Sequence, residues 1–116
     1  MSDRIYILDE IAVHQIDSVS VREAYLERYA PAARARGMHL EGAWRSPPLE
    51  IPGRATTLHF LWSVPDVAGW WGMRLGAARA DASRDVGIEG DDEKIAWWSH
   101  IDSIAISRKR TFMVDV

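Results

Sequence analysis

Hydrophobic spacing along this chain switches between the strand period and the helix period in the order strand, helix, strand, strand, helix, strand, and few folds accept that order. Arg4 to Ile16 reads as a long strand, with Ile5, Ile7, Ile11 and Val13 on one parity and Tyr6, Leu8, Ala12, His14 and Ile16 on the other. Apolar residues on both parities predict a strand covered on both faces. Ser20 and Glu23 stand at capping-box spacing and open a helix through Val21, Tyr25, Leu26 and Tyr29, which Pro31 should kink and Gly37 should end.

Met38 to Arg45 is the second strand, with Met38, Leu40, Gly42 and Trp44 on one face and His39, Glu41, Ala43 and Arg45 on the other. Thr56 to Val64 is the third, with Leu58, Phe60, Trp62 and Val64 opposing Thr57, His59, Leu61 and Ser63. Pro65 in a first turn starts a second helix to about Ala82, with Val67, Trp71, Leu75 and Ala78 at core spacing. Gly69, Gly72 and Gly76 cost that helix up to ~1 kcal/mol each relative to alanine, so it depends on packing. Ser99 to Ser107 is expected as the last strand and 108–116 as a C-terminal tail.

This order is the split βαβ layout: an antiparallel ferredoxin-like βαββαβ sheet with two helices on one face, in a single domain over 1–116. The other sheet face lacks helices yet carries apolar residues, and a second copy of the chain is the simplest cover for it. Composition narrows the partners. Net charge is −3 and the longest basic run is Arg108-Lys109-Arg110, so no nucleic-acid partner is expected. No stretch approaches the ~20 apolar residues of a membrane span, and Met1-Ser2-Asp3-Arg4 lacks the apolar core of a signal peptide. Cysteine is absent, which removes disulfides, thiolate metal sites and a cysteine nucleophile and fits a cytoplasmic location.

The residues Ile5-Tyr6-Ile7-Leu8, Tyr29-Ala30-Pro31, Leu40-Glu41-Gly42-Ala43-Trp44, Leu61-Trp62 with Asp66 beyond it, and Trp97-Trp98 before Arg108-Lys109-Arg110 carry a family likeness. In them the chain resembles the dimeric α+β barrel superfamily, in its NIPSNAP-like and uncharacterised bacterial branch. That resemblance implies a homodimer packed through its sheet faces, with any ligand lying between the helices and the concave sheet of each subunit. The superfamily spans cofactor-free monooxygenases, cyclases, isomerases, haem enzymes and members without known activity, so fold alone does not choose among them.

Six tryptophans are many for 116 residues, and four of them stand as the pairs Trp70-Trp71 and Trp97-Trp98. Trp44, Trp62 and Trp71 are the candidate apolar wall of a cleft for a flat hydrophobic or aromatic ligand; filling of the core is the competing role. Arg74 follows Trp70 by one helical turn and can stack on it or meet a ligand acid. Tyr25 and Tyr29, also one turn apart, can orient a substrate carbonyl or pack in the core. His14, His59 and His100 are candidate proton-transfer groups because histidine titrates near neutrality. His39 and His59, with Glu41, Arg45, Thr57 and Ser63, form either a polar site or plain cross-strand pairing. His100 and Asp102 are expected on one strand face, where the acid can orient the imidazole. No histidine pair has compact metal-site spacing, and no metal or cofactor is expected, haem ligation by a histidine being a minor option. No serine sits in a G-x-S-x-G setting and there is no phosphate loop. A small-molecule-binding protein, in the form of a cofactor-independent enzyme or a non-catalytic NIPSNAP-like homodimer, is the resulting expectation.

Overall fold

The computed structural model describes residues 4–66, 68, 70 and 97–116. Its sheet has four antiparallel strands, β1 (Ile5–His14), β2 (His39–Ser46), β3 (Ala55–Val64) and β4 (Ser107–Val114), in the spatial order β2-β3-β1-β4. This is the ferredoxin-like order. The long β1 and β3 form its centre, so their odd and even parities decide what each face of the sheet becomes.

One parity is the core. Ile7, Ile11 and Val13 of β1 and Leu58, Phe60, Trp62 and Val64 of β3 are buried against a helical layer. Ile7 stands directly across from Trp62, Asp9 from Phe60 and Ile11 from Leu58, so the register aligns the two core rows. The opposite parity, with Tyr6, Leu8 and Leu61, is half-buried and carries no helix among the described residues. Alternation on β1 therefore marks one sealed face and one open one.

The helical layer is entered by a 3-10 turn at Gln15–Asp17, followed by α1 (Ser18–Ala24), a π-helical turn (Tyr25–Tyr29) and α2 (Ala30–Ala35). The start lies two residues before the expected cap. Ser20 donates its hydroxyl to the Asp17 carbonyl, 3.0 Å away, so it is not the N-cap. Pro31 perturbs the helix as expected, by a particular means. It has no N–H to give to the carbonyl one turn back, and the turn just ahead of it widens so that the Ala30 N–H reaches the Tyr25 carbonyl. The helix then resumes with proline in the first turn of α2. Val21, Tyr25, Tyr29, Ala30 and Ala33 make its buried stripe. Gly37, at φ 91°, stops it in the left-handed conformation that glycine adopts without penalty.

The C-terminal third departs from the sequence reading. Residues 97–104 are a helix, α3, although a strand was expected from Ser99 to Ser107, and 108–116, expected as a tail, supplies most of β4. Trp97 and Ile101 are buried and Ile104 partly so. Their spacing of four and three residues is the helical period, which wins over the weak alternation that suggested a strand. In β4, alternation was hidden under Arg108, Lys109 and Arg110, charges that an edge strand tolerates. Most of the expected second helix lies outside the described residues; Ala68 and Trp70 are helical, and the Trp70 N–H meets the Asp66 carbonyl at 3.0 Å.

A bulge between Leu40 and Gly42 is the second correction. Leu40 pairs with Trp62, but after the extra residue Gly42 pairs with Leu61 and Trp44 with His59. The extra residue exchanges the faces of the rest of β2. Trp44 and Trp62 therefore lie on opposite sides of the sheet, contrary to the strand parity. Trp62 is fully buried, while Trp44 is 56% exposed and its indole lies over Gly42, where a Cβ would stand 2.5 Å from the ring.

Candidate functional site

Asp9 is an acid on the core parity of the central strand, and the helical layer is built to receive it. It is 2% exposed. Arg110, delivered by β4 directly across from it, grips the carboxylate with both arms of its guanidinium, Nε to Oδ1 at 2.6 Å and Nη2 to Oδ2 at 2.8 Å. Tyr25 donates its hydroxyl to Oδ2 at 2.6 Å and accepts the Trp62 indole N–H at 2.6 Å. Arg110 Nη2 also donates to the Tyr29 hydroxyl at 2.6 Å. Both Asp9 oxygens, the Tyr25 and Tyr29 hydroxyls and the Trp62 indole N–H are thus each met by a partner, which is the condition for burying them.

Aromatic rings seal the cluster. Tyr25 stacks on Phe60 with centroids 3.7 Å apart, and Tyr29 lies 4.9 Å from Tyr25. The Arg110 guanidinium lies 5.4 Å from the Trp98 ring and 5.7 Å from Tyr29, within cation–π range of both. Burial, first, and then the adjacent Asp9 charge push the Tyr25 phenol far above its ordinary value, so it is a fixed donor and not a base. Burial works against the Arg110 charge, but its bonds to Asp9 and Tyr29 outweigh this and hold it protonated.

A separate cleft of about 220 Å³ opens at the other end of the helix, between α1 and the β2–β3 edge. Leu58 and Phe60 form its floor, with Ala43 and Trp44 beside them. Ser18, Arg22, Arg45 and Glu50 supply its polar rim. Glu50 is pinned: it accepts Ser18 Oγ at 2.5 Å, Gln15 Nε2 at 3.0 Å and Arg45 Nη1 at 3.4 Å. Those bonds, Ser18's foremost, hold its carboxyl below the usual carboxylate range. The β2 bulge is what turns Ala43 and Arg45 toward this cleft.

The sequence-derived candidates are dispersed. Tyr25, Tyr29 and Trp62 meet in the sealed cluster, and Trp44 lines the cleft. His59 lies on the open face between Glu10, whose Oε2 is 3.7 Å from Nδ1, and Ser46, whose Oγ is 2.9 Å from Nε2. The polar patch expected around His39 and His59 is divided: Glu41 bonds Ser63 at 2.6 Å, whereas Arg45 turns to Glu50 and the Pro48 carbonyl. His14 is exposed at the end of β1. His100 is exposed on α3, and Asp102 binds Arg108 at 2.7 and 3.1 Å, so the expected His100–Asp102 strand pairing does not form. Trp71 and Arg74 lie outside the described residues. Sequence reasoning missed Asp9, Arg110, Arg22 and Glu50. An acid among Ile5, Ile7, Ile11 and Val13 was the available signal for the first, since a core-facing carboxylate requires a cation.

No protein-family model matches the chain, and no curated protein matches it. Solved structures do. A NIPSNAP family protein from Agrobacterium tumefaciens aligns over 100% of this chain and 89% of its own at 11% identity, with a TM-score of 0.64. An uncharacterised NIPSNAP domain protein from Burkholderia xenovorans aligns over 97% and 94% at 12% identity, TM-score 0.63. A candidate antibiotic biosynthesis monooxygenase from Nitrosomonas europaea aligns over 100% and 93% at 10% identity, TM-score 0.59. The chain thus has the fold of bacterial NIPSNAP family proteins, a fold it also shares with proteins of the antibiotic biosynthesis monooxygenase type.

The buried cluster makes a pH prediction. Above the ordinary tyrosine value of 10.0 the unfolded chain releases the Tyr25 proton and the folded chain keeps it. The raised group therefore stabilises fully below that pH, and its contribution falls as pH rises beyond it. In Tyr25→Phe, wild-type stability lost above pH 10 should shrink, while stability at pH 7 drops by about 1–3 kcal/mol because the Trp62 N–H loses its acceptor. Chemical denaturation across alkaline pH measures both.

Proposed function

We propose that this chain is a small-molecule-binding protein that takes a hydrophobic or aromatic ligand between its helices and its sheet. The observation that carries this reading is the cleft at α1: an apolar floor of Leu58 and Phe60, Ala43 beside them, and a few polar groups at the rim. Ligand sites have that composition because apolar contact supplies affinity and sparse polar groups supply orientation. The catalytic form of the reading is a cofactor-independent monooxygenase, cyclase or isomerase, supported by the fold shared with the candidate antibiotic biosynthesis monooxygenase. The non-catalytic form, a NIPSNAP-like homodimer that binds without turnover, has its own support. Tyr25 is sealed, and none of His14, His59 and His100 lines the cleft.

The homodimer belongs to both forms. Tyr6, Leu8 and Leu61 are half-buried on the open sheet face, and Trp44 and Met113 on the same face are 56% and 38% exposed. A contiguous apolar sheet face of this kind favours a second copy as its cover.

Two measurements test these statements. Titration with p-cresol should quench tryptophan fluorescence saturably, and a flat wild-type response contradicts the binding reading. Sedimentation at micromolar concentration should give twice the chain mass, and Leu61→Lys, which puts a charge into the open face, should give the monomer. A wild-type monomer contradicts the homodimer.

A further inference from the structure

We propose that the ligand of the α1 cleft is a single-ring aromatic acid whose carboxylate is held by Arg22. This rests on the binding reading above and names the chemistry of the same site. Three observations lead to it: the charge balance of the rim, the partner census of its arginines, and the volume of the cleft.

The rim holds two arginines and one carboxylate, a net charge of one positive unit from Arg22, Arg45 and Glu50. Glu50 is already occupied by Ser18, Gln15 and Arg45. Arg45 is occupied in turn, by Glu50 and by the Pro48 carbonyl at 3.1 Å. Arg22 lies close enough to Glu50 to act on its charge, yet among the described residues its side chain makes no hydrogen bond or ion pair. Its guanidinium offers a planar fork of donors that matches a carboxylate, and carboxylates are bound by such forks in pairs of parallel bonds. The position is set by the helix. Arg22 stands one turn after the buried Ser18 on the same face of α1, and both line the cleft.

Volume then limits the rest of the ligand. Sites for drug-sized molecules run from ~300 Å³ upward. At about 220 Å³ this cleft matches one aromatic ring with its acid group. Phe60 and Leu58 form an apolar bed for that ring, with Ala43 beside them. A neutral ring of the same size gains the same apolar contact and forgoes the bond to Arg22, so the acid is preferred.

The test is calorimetric titration of the intact chain with benzoate, benzamide and pyrene-1-carboxylate. Benzoate should bind about tenfold more tightly than benzamide, the low end for a charge-assisted hydrogen bond when one partner remains wet. Arg22→Gln should bring benzoate down to the benzamide level and leave benzamide unchanged, and Arg22→Lys should restore part of the preference. Pyrene-1-carboxylate should not compete with benzoate. Equal binding of benzoate and benzamide, or an undiminished preference in Arg22→Gln, overturns the acid assignment and leaves the binding reading standing. Tight binding of the pyrene acid overturns the single-ring limit. Failure of every compound to bind removes the binding reading and this inference together.

Discussion

The bidentate pair between Asp9 and Arg110 is the interaction on which the rest of the structure depends. It joins the central strand to the last strand and sits beneath the first helix, touching all three parts of the fold through four side chains. A carboxylate so deeply buried is costly alone, and it is acceptable here because each oxygen has a donor at 2.6 to 2.8 Å. Tyr25 and Tyr29 reach the pair only because both face the sheet, and the π-helical turn that spans them lies where Pro31 disturbs the helix. Proline, the widened turn and the buried charge pair are thus one arrangement. Removing the arginine leaves a charge stranded in the core, and removing the acid leaves a guanidinium against two aromatic rings.

The same arrangement separates the two faces of the molecule by role. The sealed face spends its aromatic residues on structure: Tyr25, Phe60 and Trp62 form a stacked and hydrogen-bonded block with no exposure to spare. The cleft lies at the far end of α1, where Arg22 is exposed beside an apolar floor. The open face keeps His59 between Glu10 and Ser46, with Trp44 across the strand from it. β2 serves both sides, because its bulge sends Arg45 to the cleft and Trp44 toward the open face.

Much of the sheet was legible in the sequence. β1 follows from its apolar residues on both parities, β3 from its alternation, and the helix between β1 and β2 from the spacing of Val21, Tyr25 and Tyr29. Two misreadings share a cause: a period cannot be assigned from a short mixed segment. Trp97, Ile101 and Ile104 satisfied the helical period, but His100 and Asp102 at alternate positions imitated one face of a strand. The β2 bulge was illegible because one inserted residue leaves no mark on composition while reversing every side chain after it. That reversal is why Trp44 and Trp62 did not form the common wall expected of them. Asp9 was visible as an anomaly in an apolar row, but its partner lay 101 residues away in a segment that resembled a tail. Long-range charge pairing of this kind has no local signature.

The most direct test of the account is a double-mutant cycle on Asp9→Leu and Arg110→Met, read by urea unfolding at pH 7. Each single substitution should cost about 3–5 kcal/mol, since it strands a buried charge. The double variant should recover much of that loss, giving a coupling above about 2 kcal/mol. Costs that add to within about 0.5 kcal/mol would mean that the two side chains act independently, and the pair would not be what holds the helical layer to the sheet.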